Sequence, residues 1–296
     1  MKLFPYLVLI RPANVLTAIS DVIAGFAIAG VMGSFTGAYP LPDVLLIILS
    51  TIGLYGGGIV FNDIFDLDLD RVERPERILP SGRLSVRNAV SFGILLLSIG
   101  ILTASLVSFS SMTIAVLITL LALLYDKFAK HHAILGPINM GACRGLNLLL
   151  GMSVMPLSAL GNLVYLIFMP IVFIAAVTLT SRGEVSGNNR KSVFFALCLD
   201  LLIASVIITL GILQILTLSV VIPFVVLWLF MNLNAKVRAI IDNQPQRIMF
   251  AVKTGVLSLI PLNATYVAGF GHWMYAILVL LLFPAAILLS RKFSVT

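Results

Sequence analysis

Charged residues are scarce in this sequence. Asp, Glu, Lys and Arg make up only 10% of the 296 residues, whereas hydrophobic residues make up 60%. A soluble globular domain usually carries about 25% charged residues. The composition therefore excludes a soluble globular protein and indicates that the bilayer is the solvent. The spanning segments are then helices of roughly 20 apolar residues, because a lone strand cannot satisfy its backbone groups in hydrocarbon.

Cysteine is also rare. The two cysteines, Cys143 and Cys198, both lie in apolar stretches and form no CxxC pair. This argues against a disulfide framework or a zinc site. The apolar run Leu3–Ile10 is short, is followed by Arg11-Pro12 and lacks a small-residue cleavage site. We therefore expect no cleaved signal peptide, and we expect the first span to remain in the protein.

The sequence has no dense basic tail or stripe, although its formal net charge is +7. A nucleic-acid partner is therefore not expected, and the basic residues are better explained as topology signals between apolar runs. The hydrophobic runs fall at residues 13–33, 43–62, 88–107, 112–125, 136–155, 162–180, 193–213, 216–233, 250–268 and 273–289.

Lysine and arginine follow an alternating pattern along these runs. The connections 34–42, 108–111, 156–161 and 214–215 contain no Lys or Arg, whereas the connections 63–87, 126–135, 181–192 and 234–249 are basic. By the positive-inside rule the basic loops are cytoplasmic. The pattern predicts an all-α, polytopic transmembrane bundle with ten crossings and both termini inside. Because no linker or low-complexity stretch interrupts it, residues 1–296 are expected to form one integral membrane domain.

The stretch Asn62–Asp70 is the most informative part of the chain. On a continuing helix, Asp63, Asp66 and Asp70 share one face, whereas Asp68 lies roughly 140° away from Asp63. Three carboxylates on one face repel one another unless a cation lies between them, and Mg²⁺ prefers a few carboxylates together with phosphate oxygens. The pattern predicts a Mg²⁺-dependent site for a phosphorylated substrate. The alternative is an ordinary solvated loop in which acids and arginines neutralise one another.

Basic residues downstream favour the first interpretation. Arg71, Arg74, Arg77 and Arg83 follow the Asp-rich stretch closely. A guanidinium group can bind two phosphate oxygens at once. We therefore expect some of these arginines to contact the phosphorylated substrate.

Several segments resemble one known family. Asn62–Asp70 fits NDxxDxxxD, the first motif of the UbiA prenyltransferase superfamily. Residues 77–85 are similar to that family's RPLPSGxLS segment, with Ile78 in place of proline. Residues 11–14 are similar to its RPxN start. Tyr125 with Lys127 and Lys130 is similar to its Tyr/Lys loop after the fourth span.

The resemblance implies a bundle of nine helices, against the ten that the charge pattern predicts. It also implies a reaction in which Mg²⁺ holds the diphosphate of a prenyl donor, the C–O bond ionises, and an aromatic or other lipophilic acceptor attacks the allylic carbocation. An apolar, lipid-facing cavity would protect that cation from water. The protein would lie in the inner or cell membrane if its source is a bacterium, with the site facing the cytoplasm.

The second Asp-rich motif of the family is poorly matched here. In the corresponding loop, Thr180–Lys191, Glu184 is the only acid. Either Arg182, Arg190 and Lys191 replace a second metal electrostatically, or the diphosphate chemistry is lost. A non-catalytic member that binds or hands over a lipophilic metabolite is thus an alternative. Residues 139–147 and 181–184 are similar to the UbiA-like proteins called EboC.

Other membrane-protein classes fit less well. A transporter usually has its polar site at the midplane of the membrane, whereas this charge cluster lies on one face. A CDP-alcohol phosphotransferase would carry a DG…AR motif, which is absent.

Arg144 lies in the middle of an apolar run, where a charge costs a few kcal/mol and must face a cavity or a partner. It either contributes a polar wall to the substrate cavity or forms a structural pair with Asp21 or Asp200. The predicted site residues are, as catalytic groups, Asp63, Asp66, Arg144 and Glu184; as substrate-binding groups, Asn14, Asn62, Arg71, Arg77, Lys127, Lys130 and Arg182; and as metal ligands, Asp63, Asp66 and Asp70.

Overall fold

A computed structural model describes residues 3–33, 40–184 and 187–293, apart from the side chains of His131 and Lys292. Parts of the predicted connections 34–42 and 181–192 therefore lie outside the described residues. All regular structure within the described ranges is helical. The α-helices are α1 Phe4–Leu9, α2 Pro12–Ile28, α3 Leu41–Phe65, α4 Leu67–Glu73, α5 Val86–Val107, α6 Phe109–Lys127, α7 Leu135–Met152, α8 Phe168–Ser181, α9 Arg190–Ile212, α10 Leu218–Ile241, α11 Pro245–Leu257, α12 Leu259–Phe270, α13 Trp273–Leu280 and α14 Leu282–Lys292, and 3₁₀ segments span Ala129–His131 and Leu157–Ile167.

Each predicted hydrophobic run overlaps one helix or one pair of consecutive helices. Eight of these segments, within the described residues, are long and apolar enough to cross a membrane. They include three composite spans, in which a 3₁₀ or α-helical segment continues into the next helix: Leu157–Ser181, Pro245–Phe270 and Trp273–Arg291. Large apolar side chains such as Leu106, Ile212 and Phe230 cover the outside of the bundle. The prediction of an all-α, multi-pass membrane protein is confirmed.

The two remaining runs correspond to α2 and α7, which are shorter or more polar. Helix α2 has 17 residues, and α7 carries Asn139, Arg144 and Asn147 within 18 residues. These two helices pack against each other, and α2 also packs against α12. Because neighbouring helices cover them, their polar groups face protein or a cavity rather than lipid. Gly25 and Gly151 permit the close approach, since a Cβ atom on either would overlap the backbone of the facing helix.

The Asp-rich stretch begins as a straight continuation of a spanning helix. Helix α3 ends at Phe65 and α4 begins at Leu67. The main-chain N–H of Asp66 donates to the carbonyl of Asn62 at 3.0 Å, and that of Asp70 donates to the carbonyl of Asp66 at 2.8 Å. The helical hydrogen-bond pattern therefore continues across the join, and Asp63 and Asp70 remain on the same side.

Candidate functional site

A cavity of about 270 Å³ lies among α2, α3, α6, α7, α8 and α11. Its polar rim is formed at helix ends by Arg11, Asn62, Tyr125, Asp126 and Ser181. About two helical turns deeper, Tyr55, Arg144 and Asn147 form a second polar group. Apolar side chains line most of the remaining wall, among them Leu54, Ile59, Ile118, Ile174, Val177, Val252 and Val256. The cavity is thus an apolar chamber between two polar ends.

The Asp-rich stretch borders this rim, and its acids are paired with basic side chains. Arg11 donates to Asp63 at 2.5 Å, and Arg77 lies 2.7 Å from Asp70 and 3.8 Å from Asp63. Arg11 adopts a left-handed backbone conformation, with φ of 48°, immediately before α2. Such a conformation costs of order 1–3 kcal/mol in a non-glycine residue and persists only when surrounding contacts hold it.

Asp66 and Asp68 have different surroundings. Asp66 pairs with Lys130, which follows α6. Asp68 is almost fully exposed and contacts only the exposed Arg71, at 2.8 Å, among the described ion pairs. The predicted separation of Asp68 from the other three acids therefore agrees with the geometry.

The predicted metal ligands do not form one compact cluster. Across residues 3–33, 40–184 and 187–293, no three acidic, His or Cys side chains converge as a metal site would require. The cause is the arrangement of cations, because Arg11 and Arg77 hold Asp63 and Asp70 whereas Lys130 holds Asp66 from the side of α6. The donor chemistry nevertheless suits Mg²⁺, which prefers carboxylate oxygens beside a phosphate group.

Arg144 belongs to a buried network beneath the chamber. Its guanidinium group donates to Asp21 at 2.6 Å, to Tyr55 at 2.7 Å and to Thr17 at 2.8 Å. The Asp21 carboxylate also accepts from Asn147 at 3.0 Å and from Asn263 at 2.8 Å. Arg144 therefore combines the two predicted alternatives, since it lines the cavity and forms a structural pair with Asp21.

The other acid considered as a partner, Asp200, forms a separate pair. It lies 2.5 Å from Lys236, and both side chains are buried away from the cavity. This pair connects α9 with α10.

The second polar loop uses its basic residues differently. Arg182 donates to the main-chain carbonyls of Ala133 and His132, the latter at 3.1 Å, and Arg190 donates to the carbonyl of Ile241 at 3.3 Å. Neither arginine lines the cavity. The structure therefore does not bring Arg182 to the Asp-rich stretch, because its donors bind backbone groups of the 126–135 connection.

Glu184 lies between these two arginines in the chain and is partly buried. Burial raises the pKa of its carboxyl group, and the nearby Arg74 guanidinium opposes that rise. One carboxyl oxygen is buried without a hydrogen-bond partner among the described residues. Glu184 does not line the cavity. The charged group that interacts with it is Arg74, which lies outside the chamber.

The remaining predicted binding residues divide into two groups. Asn14 and Asn62 line the cavity, and Arg77 and Lys130 pair with acids at its rim. Arg71 and Lys127 point to the outside of the loops. Lys127 is exposed and lies 5.1 Å from the ring centre of Phe128. These two residues are therefore not part of the chamber.

Four rim residues were not among the predicted site residues: Arg11, Tyr125, Asp126 and Ser181. Arg11 belongs to the Arg-Pro-Ala-Asn segment, and Asp126 lies between Tyr125 and Lys127 in the Tyr/Lys loop. Asp126 is 4% exposed, and its carboxylate accepts a hydrogen bond from the Asn62 side chain at 2.9 Å. The available signal was an acid placed in the last turn of an apolar helix, where a charge needs a partner or a cavity.

Comparisons with known proteins point to one family. The model of the UbiA prenyltransferase family matches residues 23–250. A digeranylgeranylglyceryl phosphate synthase of Methanosarcina mazei is 33% identical over 149 residues, which is 50% of each chain. Another from Thermococcus gammatolerans is 29% identical over 195 residues, or 64% of this chain and 67% of the relative. In the first of these, the match spans about half the relative's length.

Solved structures have a similar fold. One, from work on digeranylgeranylglyceryl phosphate synthase in membranes, has a TM-score of 0.67 and 23% identity, covering 90% of this chain and 98% of that one. A UbiA homologue of Archaeoglobus fulgidus bound to GPP and Mg²⁺ has a TM-score of 0.62 and 16% identity, covering 86% and 99%. These likenesses concern the fold.

Proposed function

Because the chain belongs to the UbiA prenyltransferase family, we propose that it transfers an isoprenyl group from a prenyl diphosphate to a lipophilic acceptor within the membrane. The observation that carries the proposal is the position of the Asp-rich stretch. Its acids and their cationic partners stand at the rim of an apolar chamber. This arrangement suits a substrate with a charged diphosphate head and a hydrocarbon tail.

The residues at the rim take distinct roles in this proposal. Asp63 and Asp66, assisted by Asp70, would hold Mg²⁺, which when bound stabilises the negative charge that builds on the leaving diphosphate. Once these carboxylates hold a cation, Arg11, Arg77 and Lys130 can donate to phosphate oxygens instead. Each charge-assisted hydrogen bond of this kind contributes roughly 1.5–3 kcal/mol.

The chamber would receive the prenyl chain and exclude water. Leu54, Ile118 and Ile174 offer an apolar wall, whereas Asn14 and Asn62 offer amide groups near the head. Arg144, held by Asp21 and Tyr55, would form the polar floor at the far end. A dry chamber protects an allylic carbocation from hydrolysis.

The nature of the acceptor is a separate question. The relatives are named for a digeranylgeranylglyceryl phosphate product, which does not support the aromatic acceptor expected from the sequence. We therefore propose a lipophilic acceptor whose nucleophile is a hydroxyl group. The basic-loop pattern further suggests that the rim faces the cytoplasm.

A second function rests on the second loop. Its arginines bind backbone carbonyls and its acid does not line the cavity. A protein that binds a prenyl lipid without transferring the chain would show these features as well.

Diphosphate release separates the two functions. The purified protein in lipid nanodiscs would be given Mg²⁺ and allylic diphosphates of increasing length, with a prenylated glyceryl phosphate and an aromatic acceptor supplied in parallel. We expect Mg²⁺-dependent diphosphate release and a prenylated product with the hydroxyl acceptor, and no release with EDTA. Donor binding without release would refute transfer and support the binding protein.

A further inference from the structure

The chamber wall contains a carboxylate that lies outside the Asp-rich stretch. Among the described residues, Asp126 is the only carboxylate that lines the cavity. The acids of the Asp-rich stretch border the rim, and each is neutralised by Arg or Lys. Asp126 lies in the last turn of α6, one helix away from that stretch, and faces the same chamber as Asn14 and Arg144.

Asp126 forms no direct ion pair among the described residues, although the Lys130 ammonium group lies near enough to interact with it electrostatically. None of the ion pairs between described residues includes it, because the nearby Lys130 pairs with Asp66. Its hydrogen-bond partner is the neutral side-chain amide of Asn62, which donates at 2.9 Å. That amide fixes the orientation of the carboxylate without occupying both of its oxygens. A buried carboxylate that accepts one neutral hydrogen bond can still accept a proton or a hydroxyl hydrogen bond.

This inference rests on the proposed prenyl transfer. That reaction produces a proton whenever the nucleophile is a hydroxyl group, and the proton must be taken up inside a chamber built to exclude water. Arg11 and Arg144 remain protonated in proteins. Tyr125 and Cys143, which also line the cavity, already carry a proton at neutral pH, because phenols and thiols ordinarily lose it only at about pH 10 and about pH 8.5.

We propose that Asp126 binds the acceptor hydroxyl and accepts its proton. In this step the bond between C1 of the prenyl chain and the diphosphate oxygen breaks, and its electron pair leaves with the diphosphate. The acceptor oxygen forms a new bond to C1, and its proton moves to a carboxylate oxygen of Asp126. Asn62 is a positioning residue, because it holds the Asp126 carboxylate through its amide.

The test separates acceptor activation from donor binding. In nanodisc-embedded full-length protein, Asp126→Asn would be compared with Asp68→Asn, which removes the same charge from an exposed position. Three quantities would be measured: affinity for a non-hydrolysable prenyl diphosphate analogue with Mg²⁺, diphosphate release without acceptor, and product formed with the hydroxyl acceptor.

For Asp126→Asn we expect donor affinity and acceptor-independent release within about threefold of wild type. Product formation should fall about a hundredfold, which is within the range that general bases contribute. Asp68→Asn should match wild type in all three measurements. Loss of donor affinity in Asp126→Asn would overturn the proposal and make Asp126 part of the metal–diphosphate site. Product formation that falls no more than diphosphate release would also overturn it.

A second variant guards against misfolding. In Asp126→Ala, added acetate or formate should restore product formation at least tenfold if the missing group is a base. The restored rate should be higher with acetate, the stronger base, whereas a carboxylate that only accepts the Asn62 hydrogen bond would show no such dependence on basicity. No restoration in a folded Asp126→Ala protein would contradict the proposal. Failure of the proposed function has a different signature, since the wild type itself would then release no diphosphate.

Discussion

The two polar loops of this protein differ in how their acids are paired. In the first loop, which covers residues 62–85, the acids pair with basic side chains: Asp70 pairs with Arg77, and Asp63 pairs with Arg11 from the segment before α2. Arg83 of this loop donates to the main-chain carbonyl of Glu76. In the second loop, residues 181–189 as far as they are described, Arg182 binds main-chain carbonyls. The first loop therefore holds charges that a ligand could recruit, whereas the second uses its charge to hold the backbone.

The difference follows from the backbone hydrogen bonds of each loop. The first loop continues the hydrogen-bond pattern of α3 into α4, so the main-chain N–H groups of Asp66 and Asp70 have helical partners and their side chains are available to cations. The second loop lies beside the carbonyls of His132 and Ala133 in the connection after α6. A guanidinium group supplies several donors and can bind two neighbouring carbonyls at once.

The largest expected effect lies within the first loop. Asp63→Asn removes the acid that contacts both Arg11 and Arg77, so donor binding at fixed Mg²⁺ should weaken about a hundredfold, or roughly 2.8 kcal/mol. Asp68→Asn should change it less than twofold, because an exposed ion pair contributes about 0–1 kcal/mol. Titration with a fluorescent diphosphate analogue would measure both. Equal losses would show that the burial of Asp63 does not matter for ligand binding.

Much of the fold could be predicted because apolar run length and helix spacing are local properties. The runs, the helical continuation through Asp70 and the isolation of Asp68 all follow from periodicity in the sequence. The buried α2 and α7 were less apparent, because their shielding from lipid depends on which helices pack around them. The alternatives for Arg144 could be stated, but the choice of Asp21 over Asp200 depends on tertiary contacts between α2 and α7.

The site was predicted less completely, for a physical reason. A motif shows which residue types are present but not which cation each acid binds. The sequence therefore suggested one shared metal cluster, whereas Lys130 holds Asp66 apart from the acids bound by Arg11 and Arg77. Asp126 could not be assigned from the sequence because it lies in the last turn of an apolar helix and meets Asn62 only across the packed ends of α3 and α6.

Intermediate effects on stability and donor binding are expected when one arginine in each loop is replaced by alanine. Arg182→Ala removes hydrogen bonds to two backbone carbonyls, so it should lower the stability of the folded protein by about 1 kcal/mol. The affinity of Arg182→Ala for the prenyl donor should stay within threefold of wild type.

Arg77→Ala should instead weaken donor binding at least tenfold, because it removes a cation from the rim. Thermal unfolding in detergent and analogue titration would measure the two properties. A tenfold loss of affinity in Arg182→Ala would instead support replacement of a second metal by second-loop cations.

The smallest expected effect concerns Glu184, the single acid of the described second loop. Burial raises the pKa of its carboxyl group in the folded protein above its ordinary value of about 4.3. Between the ordinary pKa and the folded pKa, the folded state retains a proton that the unfolded state has lost. Stability therefore falls as the pH rises above the ordinary pKa, and the full loss of stability is present above the folded pKa.

The variant Glu184→Gln has no carboxyl group to ionise at this position. At pH 7.5 it should unfold at a slightly higher temperature than wild type, and the difference should disappear near pH 4. Glu73→Gln, at an exposed position in α4, is the matched control and should show no such dependence. If the stability of Glu184→Gln and of wild type depends identically on pH, burial does not disfavour the ionised form of Glu184. The contrast between the two loops would then rest on the arginines alone.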